Sequence, residues 1–235
     1  MKSIESIELT RNLKAELYKL GADIVGFGNL SELSANIREN LPIGICVALK
    51  YPKETICGIS ELPTKEYLEQ YNLLNERLDK MVTQAAEILQ NQNYKAVAQT
   101  RSKVGFGDTD NNTILPHKTV ATRAGVGWIG KCAMLVTEQY GSMIRISSIL
   151  TDAPLVTAEP INQPKCGECT KCTTDCPAKA VSGKLWEPHL ARDDFFDPVK
   201  CRETAKERSL KGFGGEITLC GKCMEVCPWT RKYLA

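Results

Sequence analysis

A chain of 235 residues with 43% hydrophobic and 25% charged side chains has the balance of an ordinary globular protein, built as one large domain or two smaller ones. No apolar run approaches the ~20 residues of a membrane span, and the opening MKSIESIELTRNLK has no apolar signal-peptide core, so a soluble, cytoplasmic protein is expected. A formal charge of +2 gives no general attraction for nucleic acid.

From the N-terminus, SIELTRNLKAELYKLG repeats apolar residues at helical spacing and stops at Gly21. ADIVGFGNL and IGICVALKY read as buried strands, and TKEYLEQYNLLNERLDKMVTQAAEILQNQ as a long amphipathic helix followed by the short strand YKAVAQT. A helix over about Pro116 to Ala124 runs into GVGWIGK. AMLVTEQYGSMIRISSILT then reads as two strands joined by a turn around Gly141 and Ser142. The three prolines of DAPLVTAEPINQPK mark a linker. These elements predict an α/β domain over 1–158, a mixed sheet with flanking helices, and a separate C-terminal domain over 159–235.

Eight of the eleven cysteines fall in that last part. Cys166, Cys169, Cys172 and Cys176 form the C-x2-C-x2-C-x3-C-P run of bacterial iron–sulfur proteins. Cys220, Cys223 and Cys227 make a second run short of one ligand, which Cys201 upstream can supply. In two-cluster ferredoxins the fourth cysteine of a run serves the other cluster. One [4Fe–4S] cluster is therefore expected on Cys166, Cys169, Cys172 and Cys227, and a second on Cys201, Cys220, Cys223 and Cys176, in a ferredoxin-like domain. A zinc site or disulfides are the alternatives, but a zinc ribbon needs four ligands only, and the spacing suits a metal site in a reducing cytosol. Eight ligating thiolates subtract eight charges and two [Fe4S4]2+ cores return four, which leaves the loaded chain near −2. A local basic cluster remains at Lys200, Arg202, Lys206, Arg208 and Lys211; such runs are usually solvated faces, and otherwise meet nucleic acid or a partner. The domain alone buries little apolar surface, so its clusters are expected to act as its core.

Gly125, Gly127 and Gly130 spell G-x-G-x-x-G in RAGVGWIGK. A dinucleotide fingerprint needs a strand before it and a helix after it, and here the order is reversed. A tight helix-to-strand turn, or a backbone loop pressed against a flat cofactor, are the readings left. Cys132, just past the loop, is either a small buried residue or a thiolate acting on a cofactor. Cys46 in IGICVALKY reads as core, and Cys57 as a free thiol in a loop.

The series RAGVGWIGK, YGSMIRISSILTD, the first cysteine run, a lone cysteine and C-x2-C-x3-CPW resembles the epoxyqueuosine reductases, cobalamin-dependent enzymes of tRNA queuosine maturation. It is more distantly similar to the corrinoid reductive dehalogenases. The likeness runs from about Asn111 to Trp229. It implies an α/β cobalamin domain followed by the cluster domain, with electrons passing from outer cluster to inner cluster to cobalt, and reduction of substrate by cob(I)alamin or a cobalt-bound radical species. It implies cobalamin contacts at Arg123, Gly125, Gly127, Trp128, Gly130, Lys131, Cys132, Gly141 and Ser142. The implied partners are a low-potential donor such as ferredoxin or flavodoxin and a small-molecule or modified-nucleoside substrate.

Two departures bear on the chemistry. Where the family places an aspartate as general acid, this chain has Asn111, and an amide cannot deliver a proton as a carboxylic acid can; Asp110 beside it, or Asp108, can take the role. Where the family tends to have Glu-Arg, this chain has His117 and Lys118, and His117 is a second candidate as acid or cobalt ligand; His189 is a weaker one. Longer family members continue into a helical repeat region that helps hold tRNA, whereas this sequence ends eight residues after Cys227, which weakens the case for tRNA as substrate. The competing readings are an electron-transfer or corrinoid-activating protein without substrate chemistry of its own, and a flavin-binding reductase.

Overall fold

The computed structural model describes residues 3–104 and 113–235. Ser3 opens the first helix, Ile4–Lys19, by accepting from the Ser6 N–H at 3.1 Å. Leu13 and Leu17, one turn apart, are its buried face, and Gly21 ends it in the left-handed region at φ 94°.

The strands are β1 (Ile24–Asn29), β2 (Ile43–Lys50), β3 (Ala96–Gln99), β4 (Trp128–Ile129), β5 (Leu135–Val136) and β6 (Ile144–Thr151). Four of them form one sheet in the order β1-β2-β6-β3. β1 pairs antiparallel with β2, Ile24 opposite Ala48, and β3 pairs antiparallel with β6, Ala96 opposite Thr151. β2 is buried without interruption from Gly44 to Leu49, so both of its faces are covered, and Ile45, Val47, Ile149 and Leu150 are core. The helix Lys65–Gln90 buries Leu74, Leu78, Met81, Val82, Ala85 and Leu89, the three- and four-residue repeat of a helix with one apolar face. The helix His117–Arg123 lies directly on β1. A Cβ at Gly28 would stand 2.6 Å from the Ala124 nitrogen and from the Arg123 carbonyl carbon, so only glycine lets the two backbones meet.

Two of the expected elements form otherwise than the sequence suggested. β5 and β6 are not partners: β5 pairs with β4 in a separate two-stranded sheet, and β6 sits inside the main sheet. The turn between them, from Thr137 to Gly141, closes on itself by Thr137 N–H to Gly141 O at 2.8 Å and Gly141 N–H to Thr137 O at 3.0 Å. The cysteine-rich part also holds a sixteen-residue helix, Pro198–Phe213. Asp197 caps it by accepting from the Lys200 N–H at 3.0 Å, Pro198 opens its first turn, and Gly214 stops it at φ 79°.

The chain divides into two compact units. The first comprises Met1–Leu49, Leu74–Val126 and Arg145–Ile161, and it carries the four-stranded sheet. The second comprises Lys50–Leu73, Gly127–Ile144 and Asn162–Ala235. The last crossing falls within the proline-bearing stretch DAPLVTAEPINQPK. Two earlier segments nevertheless belong with the cysteines, an arrangement that consecutive domains 1–158 and 159–235 do not describe. The reason is local: the β4–β5 hairpin packs on the cysteine segments, with Ile129 and Ala133 in one apolar group with Trp186 and Phe195. The loop at 58–63 is held the same way. Lys222 Nζ donates to Ser60 O at 2.7 Å, and Arg208 Nη2 donates to Glu61 O.

Candidate iron–sulfur site

Each cysteine run folds as a turn followed by a one-turn helix. In the first, Gly167 takes φ 50°, the Cys169 N–H donates to Cys166 O at 3.1 Å, and the helix Lys171–Thr174 carries Cys172. In the second, Gly221 takes φ 76° and the helix Lys222–Glu225 carries Cys223. These two short helices are in contact, and Cys172 and Cys223 occupy the same, second, position on them. The segment after the first run pairs with the residues before the long helix: Ser182 N–H donates to Phe195 O at 3.1 Å and Asp197 N–H to Ala180 O at 2.8 Å. That pairing brings Cys201, one turn into its helix, beside Cys176.

The sulfurs sort accordingly. Burial pushes the Cys201 thiol up to about 11, and the sulfurs of Cys220 and Cys176 push it the same way. Cys227 is raised by burial and again by Cys166 and Cys172, while backbone N–H groups of Thr230 and Trp229 donate to its sulfur and oppose the rise. Cys227 thus shares its surroundings with the first run, and Cys201 with Cys220 and Cys176. A cavity of about 100 Å³ is lined by Cys166, Cys169, Cys172 and Cys227, with Cys132 and Cys223 on its wall. None of the eleven cysteines is joined in a disulfide. Among the described residues no three His, Cys, Asp or Glu side chains close on the spacing of a single ion. A cubane cluster is a larger body, with its ligands at the corners of a cage. The donor set, soft sulfur throughout around an apolar cavity, fits iron–sulfur clusters.

Residues expected at a cofactor are placed mostly against the chain itself. Arg123, 6% exposed, donates through Nη1 to Glu32. Gly125 turns out of the preceding helix at φ 65°. A Cβ at Gly127 would stand 2.2 Å from Val136 O, so the hairpin's own backbone requires that glycine. Lys131, buried, donates Nζ to Cys169 O at 2.9 Å, and Gly130 and Cys132 line the cysteine cavity. Gly141 and Ser142 pack on Thr230, whose Oγ1 accepts from the Ser142 N–H at 3.2 Å. Trp128 is fully buried edge-on to Trp229, with ring centroids 5.0 Å apart, and its Nε1 has no hydrogen-bond partner among the described residues.

The proton-donor candidates divide. Asp110, with Asp108 and Asn111, lies outside the described residues. His117 is partly buried in the first unit, its Nδ1 2.8 Å from Ser148 Oγ. Burial lowers it to about 4; the nearby Arg145 guanidinium adds to the fall, and Asp79 opposes it. The imidazole is therefore neutral near pH 7. His189 is exposed in a turn, Cys57 is exposed, and Cys46 is buried in β2. The basic residues 200–211 lie on the helix Pro198–Phe213. Lys200 pairs with Asp197 at 3.0 Å, and Arg208 binds Glu61 O. One polar group escaped the sequence reading. Glu225 is 2% exposed between Cys223 and Cys227 and accepts from Lys222 Nζ at 2.9 Å and from Arg231 Nη2. An acid inside a cysteine run, with a base three residues before it, is the signal that would have found it.

Residues 165–230 match the family described as a 4Fe–4S double cluster binding domain. Curated relatives named epoxyqueuosine reductase include those of Vibrio cholerae, 26% identical over 72% of this chain and 44% of the relative, and of Synechocystis, 31% identical over 51% of this chain and 41% of the relative. Another, from Prochlorococcus marinus, is 24% identical over 97% of this chain and 80% of its own length. Among solved structures, a catabolic reductive dehalogenase superposes with a TM-score of 0.75 at 20% identity, over 96% of this chain and 32% of that one. An epoxyqueuosine reductase bound to an epoxyqueuosine-modified tRNA stem loop superposes with a TM-score of 0.60 at 19% identity, over 95% of this chain and 66% of that one. The chain thus spans less than half of the Vibrio and Synechocystis relatives and about a third of the dehalogenase. In sequence it is similar to the epoxyqueuosine reductases, and in fold to these and to the reductive dehalogenases.

Proposed function

We propose that this protein is an iron–sulfur oxidoreductase that carries two [4Fe–4S] clusters and delivers low-potential electrons to a cobalamin, as a reductase related to the epoxyqueuosine reductases. The observation that carries the reading is the crossed arrangement of the sulfurs, Cys227 with the first run and Cys201 with Cys220 and Cys176. It supports Cys166, Cys169, Cys172 and Cys227 as ligands of one cluster and Cys201, Cys220, Cys223 and Cys176 as ligands of the other. Cysteine-ligated [4Fe–4S] clusters reach the low potentials that a strongly reducing cobalt requires. Two clusters within one small unit stand close enough to pass single electrons in sequence.

The chain's own part in this is to hold, insulate and balance. Lys131 places a cation on the first run through Cys169 O. Backbone N–H groups at 229 and 230 donate to the Cys227 sulfur. Trp229, edge-on to the buried Trp128, lines the cavity beside Cys166 and Cys227. A cobalamin would supply the hard redox chemistry. That part of the proposal rests on likeness to the relatives, since the loop glycines are explained by the chain's own packing. The expected electron donor is a ferredoxin or flavodoxin, the substrate a modified nucleoside or other small molecule, and the compartment the cytoplasm. Among the described residues no helix is long and apolar enough to cross a membrane.

A second reading, an electron-transfer or corrinoid-activating protein, is favoured by His117, which burial holds neutral and without a ready proton to give. Two measurements on anaerobically reconstituted protein test the proposal. Cys201→Ala should lose about half of the iron and sulfide, one cluster of the two; retention of all of it would sink the ligand assignment. Cobalamin titrated into the wild type should bind saturably and perturb the Co(II) EPR signal. Absence of binding would leave the clusters and remove the corrinoid. Turnover only when a corrinoid protein is added would select the second reading.

A further inference from the structure

The helix Pro198–Phe213 carries Cys201 in its first turn and has two unlike sides. On one side Ala205 and Ser209 are buried, Ser209 Oγ accepts from the Ile217 N–H at 2.9 Å, and Arg208 donates to Glu61 O. A Cβ at Gly212 would stand 2.1 Å from Pro63 O, so this side presses on the loop at 58–63. Cys201 belongs to it too, packed against the group of Cys132, Cys176, Ala180 and Val181. Val199, Glu203, Lys206 and Leu210, spaced three and four residues apart, run down the opposite side. Val199 is 56% exposed and Leu210 49%, and Ile217, 38% exposed, follows just past the helix end. Lys200, Arg202 and Lys211 are exposed on the flanks of that line. Among the described residues no acid pairs with Lys206 or Lys211.

We propose that this outer side of the helix Pro198–Phe213 is the docking face for an acidic electron-carrier protein. The inference rests on the two-cluster reading, which gives Cys201 to the second set. An α-helix with its side chains is about 10–12 Å across, so a partner seated on the outer side stands one helix thickness from the side that holds Cys201. The exchange moves one electron from the carrier to the second set's cluster, with no bond made or broken and no proton moved. The helix holds five basic side chains against two acidic ones, on a chain whose loaded charge is near −2, so its sign is opposite to that of the whole. Such a face draws in and orients an acidic partner. Val199 and Leu210 supply the apolar contact that a protein interface places among its polar groups. An RNA backbone fits the face less well, because Glu203 lies in the middle of the exposed line and Glu207 is exposed beside it, and both carboxylates would meet phosphate. A merely solvated face accounts for the charges alone. Two aliphatic side chains exposed on the same line as Lys206 are what a protein partner would cover.

The test uses the full chain, reconstituted anaerobically, as wild type, as the double variant Lys206→Glu with Lys211→Glu, and as Leu210→Gln. An acidic flavodoxin and an acidic ferredoxin are the probes. Iron is read first: iron for one cluster only in the wild type would defeat the two-cluster reading, and the inference with it. Given two, calorimetric titration with the oxidised carriers should show binding to the wild type by at least one of them, weakening as salt rises. The double variant should bind that carrier about tenfold more weakly, with a flatter salt dependence. Leu210→Gln should weaken binding at every salt concentration and leave the salt dependence as it was. Both variants should keep the wild-type iron and the wild-type rate of reduction by dithionite, which is too small to need the face. Their reduction by the reduced carrier should slow in step with the loss of binding. Absence of binding of either carrier to the wild type overturns the inference, as does unchanged affinity in the double variant. If the double variant keeps its affinity for the carrier and loses it for a tRNA anticodon stem loop, the face is an RNA site and the inference falls.

Discussion

The two units bury cysteine for opposite reasons. Cys46 lies in the middle of β2, and burial pushes its thiol up to about 12. There it is a small apolar filler in a sheet whose core is Ile45, Val47, Ile149 and Leu150. Cys132 is nearly as buried, yet its neighbours are sulfur. Two apolar groups of the second unit, one of Ile129, Ala133, Trp186 and Phe195 and one around Cys132 itself, lie on the cysteine segments. The first unit is held by apolar area. The second leaves a sulfur-lined space in its middle, so that what fills the space completes the core.

The largest break between the units should therefore come from removing iron. Chelation of the reconstituted protein is expected to speed amide exchange over 166–181 and 219–230 by about 100-fold or more, a loss of about 2.8 kcal/mol of local stability. Amides in β2, in β6 and in the later turns of Lys65–Gln90 should keep their protection. Equal loss in both units would show that the first depends on the clusters too, and the contrast would fall.

The converse cut is made in the sheet. Ile45 has no exposed surface, and Ile45→Ala should cost the first unit about 2–5 kcal/mol by lost burial and the cavity left behind. Denaturation followed at β-sheet amides reports this cost, and iron content should stay at the wild-type level. Loss of iron in this variant would tie the cluster sites to the packing of the sheet.

The same contrast explains what the sequence made legible. The first unit follows local rules: the 3.6-residue repeat gave the helices at both ends of β1–β2, and continuous apolar runs gave the strands. Cysteine spacing marked the two runs, and the surroundings of Cys227 and Cys201 pair across those runs. What failed is non-local. Nothing in AMLVTEQYGSMIRISSILT tells that its first strand pairs with Trp128–Ile129 and its second lies between β2 and β3 in a different sheet. The helix Pro198–Phe213 went unread because it buries little, Ala205 and Ser209, and so lacks an apolar stripe; its Asp-Pro start and glycine stop were the visible marks. The glycine loop left open a tight turn or a backbone pressed against a cofactor, and the close approach of Gly127 to Val136 O is the turn's own demand at that one position.

A smaller effect tests the first unit through its histidine. His117 stands near 4 in the fold against the usual 6.5, chiefly because burial disfavours the cation. On lowering pH, the unfolded chain takes up this proton first, near 6.5, while the folded one refuses it until about 4. The stability associated with a neutral His117 is thus complete above about pH 6.5, falls between 6.5 and 4, and is gone below, about 3 kcal/mol in all. Exchange of the β6 amides as a function of pH measures the slope, and His117→Asn should flatten it. A slope that survives the substitution would place the titrating group elsewhere and return His117 to the proton-donor candidates.

The smallest effect sharpens the second unit's claim on Gly141 and Ser142. A Cβ at Gly141 would stand 2.3 Å from the Thr230 nitrogen, and Thr230 Oγ1 accepts from the buried Ser142 N–H at 3.2 Å. Thr230→Val keeps the shape and removes the acceptor, leaving that N–H without its bond at a cost of about 1 kcal/mol. If the Gly-Ser pair serves only to seat the helix Pro228–Leu234, the variant should melt earlier while binding cobalamin as the wild type does. A fall in cobalamin affinity larger than the fall in stability would instead show that this turn meets the cofactor, and that the relatives' chemistry reaches further into the second unit than its internal packing indicates.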